Sequence, residues 1–457
     1  MDGLLAEDND GKSKWIYPLI RKGAFYKWRS WLSYVFLVFL FTGPFIRING
    51  QPLLLLDFID RQFVLLGQVF WPQDIFLFVL ATLVFLVCIV LFTIAFGRIF
   101  CGWICPQTIF MEMVFRKLEE WIEGDAHKRR KLDAGPWTSE KITKKSLKAV
   151  VFVFISFLIA NTFLAYIIGS GSLIKIITEP VSEHWLGFLI IWAFTIAFYM
   201  VYSRIREQVC TLFCPYGRLQ GVMIDQHTLV VAYDDVRGEP RGKIDKKAAL
   251  PRLKGDCVDC RLCVEVCPTG IDIRKGTQLE CINCTACIDV CDEVMDKIHR
   301  PRKLIGFFSE NMIHAKEKPT FTVRMMAYSA VIVILIGCLS YFIFSRSDMD
   351  ITVMRSPGML YQQQKGGYIS NIYNAEIINK TNKSCNIILR PDDPAIKIKY
   401  IQAPVTISNG GSIKVMFFVM IPASKILKPD MDVHLQLIRN NKILQNVTTS
   451  FVGPINY

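Results

Sequence analysis

Twelve of the chain's fifteen cysteines fall in four short runs whose spacing suits metal chemistry. The densest pair reads C-x2-C-x2-C-x3-C-P and then C-x2-C-x2-C-x3-C, at Cys257, Cys260, Cys263, Cys267 and Pro268, and at Cys281, Cys284, Cys287 and Cys291. Three closely spaced thiolates can hold three irons of a cubane, and the fourth cysteine of each run then serves the other cluster. One [4Fe-4S] cluster is therefore expected on Cys257, Cys260, Cys263 and Cys291, and the other on Cys281, Cys284, Cys287 and Cys267. Four thiolates also suit structural zinc, but zinc ribbons do not interleave eight cysteines in this way. Asp292 stands where the first run has its proline. Two such clusters imply one-electron transfer. No nucleotide fingerprint, Walker motif or C-x-x-C-H haem motif accompanies them.

The other two runs are copies of C-x3-C-P: Cys101, Cys105 and Pro106, then Cys210, Cys214 and Pro215. Arg98 precedes the first, and Arg204 and Arg206 the second. Proline is welcome at the first position of a helix and disruptive inside one. Cys105 and Cys214 are therefore expected at helix N-termini, where a nearby arginine and the helix end lower a thiol's pKa. After Pro106 the apolar residues Phe110, Met113, Val114, Leu118 and Trp121 suggest an amphipathic helix lying along a membrane. Four such thiols could bind a soft metal, and Cu(I) prefers sulfur. A structural zinc site and plain packing are the alternatives. Cys88 and Cys338 lie in apolar spans, and Cys385 stands alone in its region.

Five apolar runs are long enough to carry these motifs on membrane-spanning helices: Trp31–Ile46, Asp74–Phe96, Ala149–Gly169, His184–Ser203 and Met325–Phe344. Leu53–Phe70 is interrupted by Asp57, Asp60 and Arg61 and reads as a hairpin or interfacial segment. Lys and Arg number six in residues 1–30, two in 47–73, eleven in 97–148, one in 170–183 and twenty in 204–324. That alternation places the N-terminus, both C-x3-C-P runs and the ferredoxin-like loop in the cytoplasm, and residues 345–457 outside. The net charge of +13 is thus mainly a topology signal rather than a sign of nucleic-acid binding. Both C-x3-C-P runs follow a span entering the cytoplasm, as in an internal repeat.

The expected layout is a multi-domain protein. Residues 1–30 form a cytoplasmic segment, and 31–250 a helical membrane domain. Residues 251–300 form the two-cluster ferredoxin domain, 301–324 a linker and 325–344 the fifth span. Residues 345–457 read as an all-β immunoglobulin-like sandwich. Its expected strands are Tyr373–Ile378, Cys385–Leu389, Val405–Ser408, Ile413–Met420, Val433–Ile438 and Val447–Phe451. Turn signals at Pro391-Asp392-Asp393-Pro394, Asn409-Gly410-Gly411 and Asn440-Asn441 separate them.

The chain resembles the CcoG/FixG/RdxA family of membrane polyferredoxins, cytochrome c oxidase accessory proteins. The most specific stretches are Gly97–Thr108, Glu207–Arg218, Arg237–Gly242 and Cys287–Met295. The resemblance implies a bacterial inner-membrane protein that reduces Cu(II) to Cu(I) for assembly of a cbb-type oxidase. Cys101, Cys105, Cys210 and Cys214 would handle the copper. It also implies, as partners, the lipid bilayer, an unidentified electron donor, and oxidase assembly factors or copper chaperones. Homo-oligomerisation stays open. Two other functions remain: a quinol-linked or ferredoxin-type electron-transfer subunit without copper, and a non-redox copper-binding scaffold.

Overall fold

The computed structural model describes residues 15–48, 50–57, 62–65, 67–242, 255–358, 360–364, 366–381, 383–401, 406–408, 410–426, 428–439 and 442–454. The readings at Asp60, Arg61, Val405, Asn409, Asn440 and Asn441 lie outside them. The chain divides into two compact units, residues 1–44 with 78–339, and residues 45–77 with 340–457.

Five long helices run through the chain: α1 (Ala24–Thr42), α2 (Ile75–Phe96), α3 (Ser139–Ile168), α4 (Trp185–Met200) and α5 (Val323–Phe344). Among the described residues, four are long and apolar enough to cross a membrane: α2, α3, α4 with its continuation to Ile205, and α5. Only 6% and 0% of the apolar windows of α2 and α5 are buried within the protein, against 44% for α3. The outward apolar faces need a non-aqueous solvent, and the helix satisfies its own backbone groups there.

The first helix is displaced from the expected Trp31–Ile46. It ends before Gly43-Pro44, as the proline requires, but it starts at Ala24. Its N-cap, Gly23, has no side chain to offer. Asp289 supplies the cap instead, accepting from the Phe25 and Tyr26 backbone N–H groups at 3.0 and 2.8 Å.

The helix after Pro106 is also more deeply placed than an interfacial helix would be. Phe110, Met111 and Phe115 are buried in a core with Phe152, Ile159 and Tyr202. Phe115 stacks on Tyr202 with centroids 4.5 Å apart. Of the expected apolar stripe, Trp121 is left exposed. The stretch read as a linker contains a strand, Ile305–Phe308, which pairs antiparallel with Val230–Tyr233 and closes the ferredoxin segment.

The second unit holds the all-β region. One sheet runs Lys397–Tyr400, Ser412–Pro422, Tyr368–Asn379 and Met349–Arg355, with Gln362–Gln364 on the edge of the third. The other runs Ile388–Pro391, Asp430–Arg439 and Lys442–Val452. Alternate residues point inward, and Tyr373, Phe417, Leu435, Leu437 and Phe451 are fully buried between the sheets. The Tyr373 hydroxyl donates across them to the Ser450 carbonyl at 2.7 Å. The interrupted segment after α1 folds as a small meander, Leu54–Asp57, Gln62–Leu65 and Gln68–Phe70. Its Val64, Val69 and Trp71 pack on Ile378. Asp74 then binds Lys380 and Arg346, each at 2.6 Å, and Lys380 also pairs with Asp350.

Candidate metal centres

The two ferredoxin-like runs fold alike. Each middle cysteine is flanked by non-glycine residues with positive φ: Asp259 (53°) and Arg261 (59°) around Cys260, Asn283 (52°) and Thr285 (64°) around Cys284. Such left-handed residues are costly and cluster at functional sites. Left-handed residues of this kind are found in backbone nests, a shape that favours an anion. The helix Ala286–Lys297 follows the second run directly and carries Cys287 and Cys291.

The runs enclose two voids of similar size. One is lined by Cys267, Cys281, Cys284 and Cys287, with Cys263 on its wall. The other is lined by Cys257, Cys260, Cys263 and Cys291. The linings group the thiols in the interleaved way their spacing implies. Burial pushes Cys263, Cys281 and Cys291 up to about 12 and Cys284 to about 11. Asp292, the departure from the proline pattern, accepts from the Lys303 N–H at 2.8 Å and ties the following loop down.

The C-x3-C-P runs sit at helix starts as expected. Cys105 and Cys214 are N-cap residues, with Pro106 and Pro215 in the first turn. Irregular helix surrounds them. Ile109–Phe115, Val201–Ile205 and Val209–Phe213 are π-helical, a rare form frequent at functional sites. Arg206 turns the chain between the last two at φ 53°, ψ −122°. It is held there by two bonds to Glu119, at 3.1 and 2.6 Å.

Cys101, Cys105 and Cys210 each lie near enough to other thiols of the set for their charge to oppose ionisation. For Cys105 the expected lowering of pKa is corrected here. Burial raises Cys105, raises Cys101 to about 11 against the pull of Arg98, and raises Cys210 to about 12. Desolvation outweighs both the helix N-terminus and the arginine. A polar chain backs Cys101. Its thiol donates to Gln220 Oε1 at 3.2 Å, which also accepts from Arg98 Nε at 3.2 Å. Gln220 donates in turn to Thr93 at 3.1 Å, and Thr93 meets the Tyr216 hydroxyl at 3.1 Å. Arg98 was visible beside its motif. Gln220 and Tyr216 were not singled out, although their i, i+4 spacing after Pro215 puts them on one helix face. Thr93, a polar residue in an apolar helix, was a second signal.

The two cysteine groups are in contact. Cys101 packs with Ile282 and Cys284. A Cβ on Gly102 would lie 2.4 Å from the Ile282 carbonyl oxygen and 3.0 Å from the Cys284 Cα and N. The glycine in Cys101-Gly-Trp is thus what lets the loops touch. Arg98 Nη1 donates to the Leu279 carbonyl, Arg29 reaches the Cys284 carbonyl at 3.5 Å, and Asn283 donates to Phe96 O at 3.4 Å. Arg116, buried, pairs with Glu112 and Glu207 and donates to Pro268 O at 3.1 Å. Cys260, at the other void, is exposed.

Three family models match the chain. A 4Fe-4S dicluster domain covers residues 205–310, a 4Fe-4S binding domain covers 78–129, and the IG-like fold at the C-terminus of FixG covers 339–454. The nitrogen fixation protein FixG of Rhizobium meliloti is 33% identical over 411 residues, 80% of this chain and 77% of its own. The chain belongs to the FixG/RdxA family. Protein RdxA of Cereibacter sphaeroides is 35% identical over 399 residues, 83% of this chain and 82% of its own. Protein RdxB of the same organism is 34% identical over 386 residues, 81% and 80% respectively. The chain is accordingly an iron–sulfur oxidoreductase of this family, with apolar helices fit for a membrane.

Proposed function

We propose that the chain takes up electrons singly on the Cys260 side and releases them beside Cys101, Cys105, Cys210 and Cys214, where Cu(II) gains one electron and becomes Cu(I). The observation that carries this reading is the close approach of Gly102 to Ile282 and Cys284, which joins the two cysteine groups. Two [4Fe-4S] clusters, when bound, supply the one-electron carriers. The chain's own residues supply the rest. Cys257, Cys260, Cys263 and Cys291 would hold one cluster, and Cys267, Cys281, Cys284 and Cys287 the other. Ile282 and Gly102 keep the path short, and Arg98 faces the thiols with positive charge. Soft sulfur favours Cu(I) over Cu(II), and the family resemblance supports copper as the substrate.

The setting in this proposal is a bacterial inner membrane crossed five times, α1 included. The basic loops and both cysteine groups are cytoplasmic, and the sandwich is outside. The Cu(I) would serve assembly of a cbb-type oxidase through copper chaperones or assembly factors.

The test uses purified protein reduced with dithionite and freed of excess reductant. Offered Cu(II) or a water-soluble quinone under anaerobic conditions, it should form one Cu(I) for each electron lost from its visible absorbance, and leave the quinone oxidised. Rapid reduction of the quinone with Cu(II) left intact would replace copper reduction by the quinol-linked relay.

A further inference from the structure

We infer that Arg29 is a positioning residue for the electron exit: it holds a buried, unpaired positive charge against the group bound by Cys267, Cys281, Cys284 and Cys287, and so stabilises the electron held there. The inference rests on the electron-exit reading above, because Cys284 is also the residue that packs on Cys101.

The first argument is the missing counter-charge. Arg29 is 4% exposed. Its Nη1 reaches the Cys284 carbonyl at 3.5 Å, the long end of hydrogen bonding, and its Nη2 is buried with no partner. Among the described residues, no carboxylate pairs with it. Other buried arginines nearby differ. Arg116, Arg129 and Arg206 each meet a carboxylate within 3.0 Å. Arg98 spends Nε on Gln220 and Nη1 on the Leu279 carbonyl. A buried charge is costly unless it is paired. An iron–sulfur cluster on four thiolates is an anion, and Arg29 faces one of its ligands. Burial raises the Cys284 thiol, and Arg29 is the largest pull the other way.

The second argument is how α1 delivers the charge. The residues α1 buries are Arg29, Ser30 and Ser33, while its Trp28 and Trp31 are exposed. A polar face, not an apolar one, is turned to the protein. The Asp289 cap binds the Phe25 and Tyr26 N–H groups, and Asp289 follows Cys287 by two residues. A side chain at Gly23 would run into Asp289. The start of α1 is thus fixed to the helix that carries Cys287, and Arg29 comes one turn later.

The third argument is the contrast with the other cysteine group, where the buried arginines are paired. Arg274 lines that void and binds both Asp272, at 2.7 Å, and Asp259. Arg237 and Arg300 share Asp256, beside Cys257. Arg261 is exposed. Net charge is among the properties that set a cluster's potential, and a fixed cation acts strongly where water is excluded. Arg29 therefore acts on one group and little on its neighbour.

The test is a redox titration of the full-length protein, reconstituted anaerobically with iron and sulfide and read by electron-spin resonance without copper. About eight irons per chain show that both groups are loaded. Two midpoints are expected, and Cys260→Ser, at the exposed ligand, labels the one that belongs to the other group. Arg29→Met should lower the remaining midpoint by at least about 59 mV, a tenfold loss in its one-electron reduction constant, and move the labelled one much less. Arg29→Lys should recover most of that loss and Arg29→Gln little of it. An unchanged midpoint in Arg29→Met, or equal shifts at both groups, would overturn the inference. If Arg29→Met fails to hold iron, equal midpoints in the Lys and Gln proteins would overturn it instead. The expected shift with Cu(II) reduced as fast as by wild type would keep the role of Arg29 and remove the exit reading. Unshifted midpoints with Cu(II) reduction intact would do the reverse.

Discussion

Glu119 shows at the scale of one residue how the C-x3-C-P region is held. Burial alone would raise its pKa, but Arg206 and Lys148 bring it down to about 2. Arg129 adds a third cation at 3.0 Å. A carboxylate with a folded pKa below its unfolded one stabilises the protein above the unfolded pKa, about 4.5. That contribution is lost as pH falls from there through about 2. The shift corresponds to about 3 kcal/mol. Glu119→Gln leaves Arg206, Arg129 and Lys148 short of their shared anion and should cost about 3–5 kcal/mol. Thermal unfolding in detergent should show a lower midpoint for the variant at pH 7. The difference should shrink as pH is lowered below 4.5. A variant as stable as wild type at pH 7 would mean that Glu119 does not fix the Arg206 turn.

At the scale of elements, the contact between the short helix Ile99–Trp103 and the loop at Ile282–Cys284 is the weakest point to alter without touching a cysteine. Gly102→Ala must push backbone apart, because the nearest atoms to its Cβ are main-chain. Overpacking of this kind costs about 1–3 kcal/mol. The variant should keep the irons of the ferredoxin-like loop yet pass electrons to Cu(II) more slowly. Unchanged transfer would place the path elsewhere. Spacing made both cysteine groups legible in the sequence, because ligand intervals and the Cys-Pro step are local. Alternation likewise revealed the strands now within Tyr368–Asn379, Ser412–Pro422 and Asp430–Arg439. The start of α1 was not legible, since its cap, Asp289, lies 264 residues from Phe25. Nor was the sign of the thiol shifts, which depends on burial that no motif records. The strands Met349–Arg355 and Lys397–Tyr400 were not among the expected ones, although Met349, Ile351 and Val353, and Ile398 and Tyr400, alternate with polar or charged residues in them.

At the scale of the whole molecule, the five-crossing arrangement makes two positions diagnostic. A phosphatase reporter fused after Tyr457 should be active, and one inserted near Gly255 inactive, because such reporters fold only outside the cytoplasm. The reverse at either point would put the cysteine groups on the other face. The central claim, that electrons leave beside the C-x3-C-P thiols, is tested most directly by one rate. Reduced, reductant-free protein is mixed with Cu(II), and the recovery of its visible absorbance is followed in wild type and in Cys105→Ser/Cys214→Ser. Recovery in the variant should be at least about tenfold slower, a barrier higher by about 1.4 kcal/mol, although dithionite reduces its ferredoxin-like loop as readily as before. Equal rates in the two proteins would contradict the account and place the exit away from Cys101, Cys105, Cys210 and Cys214.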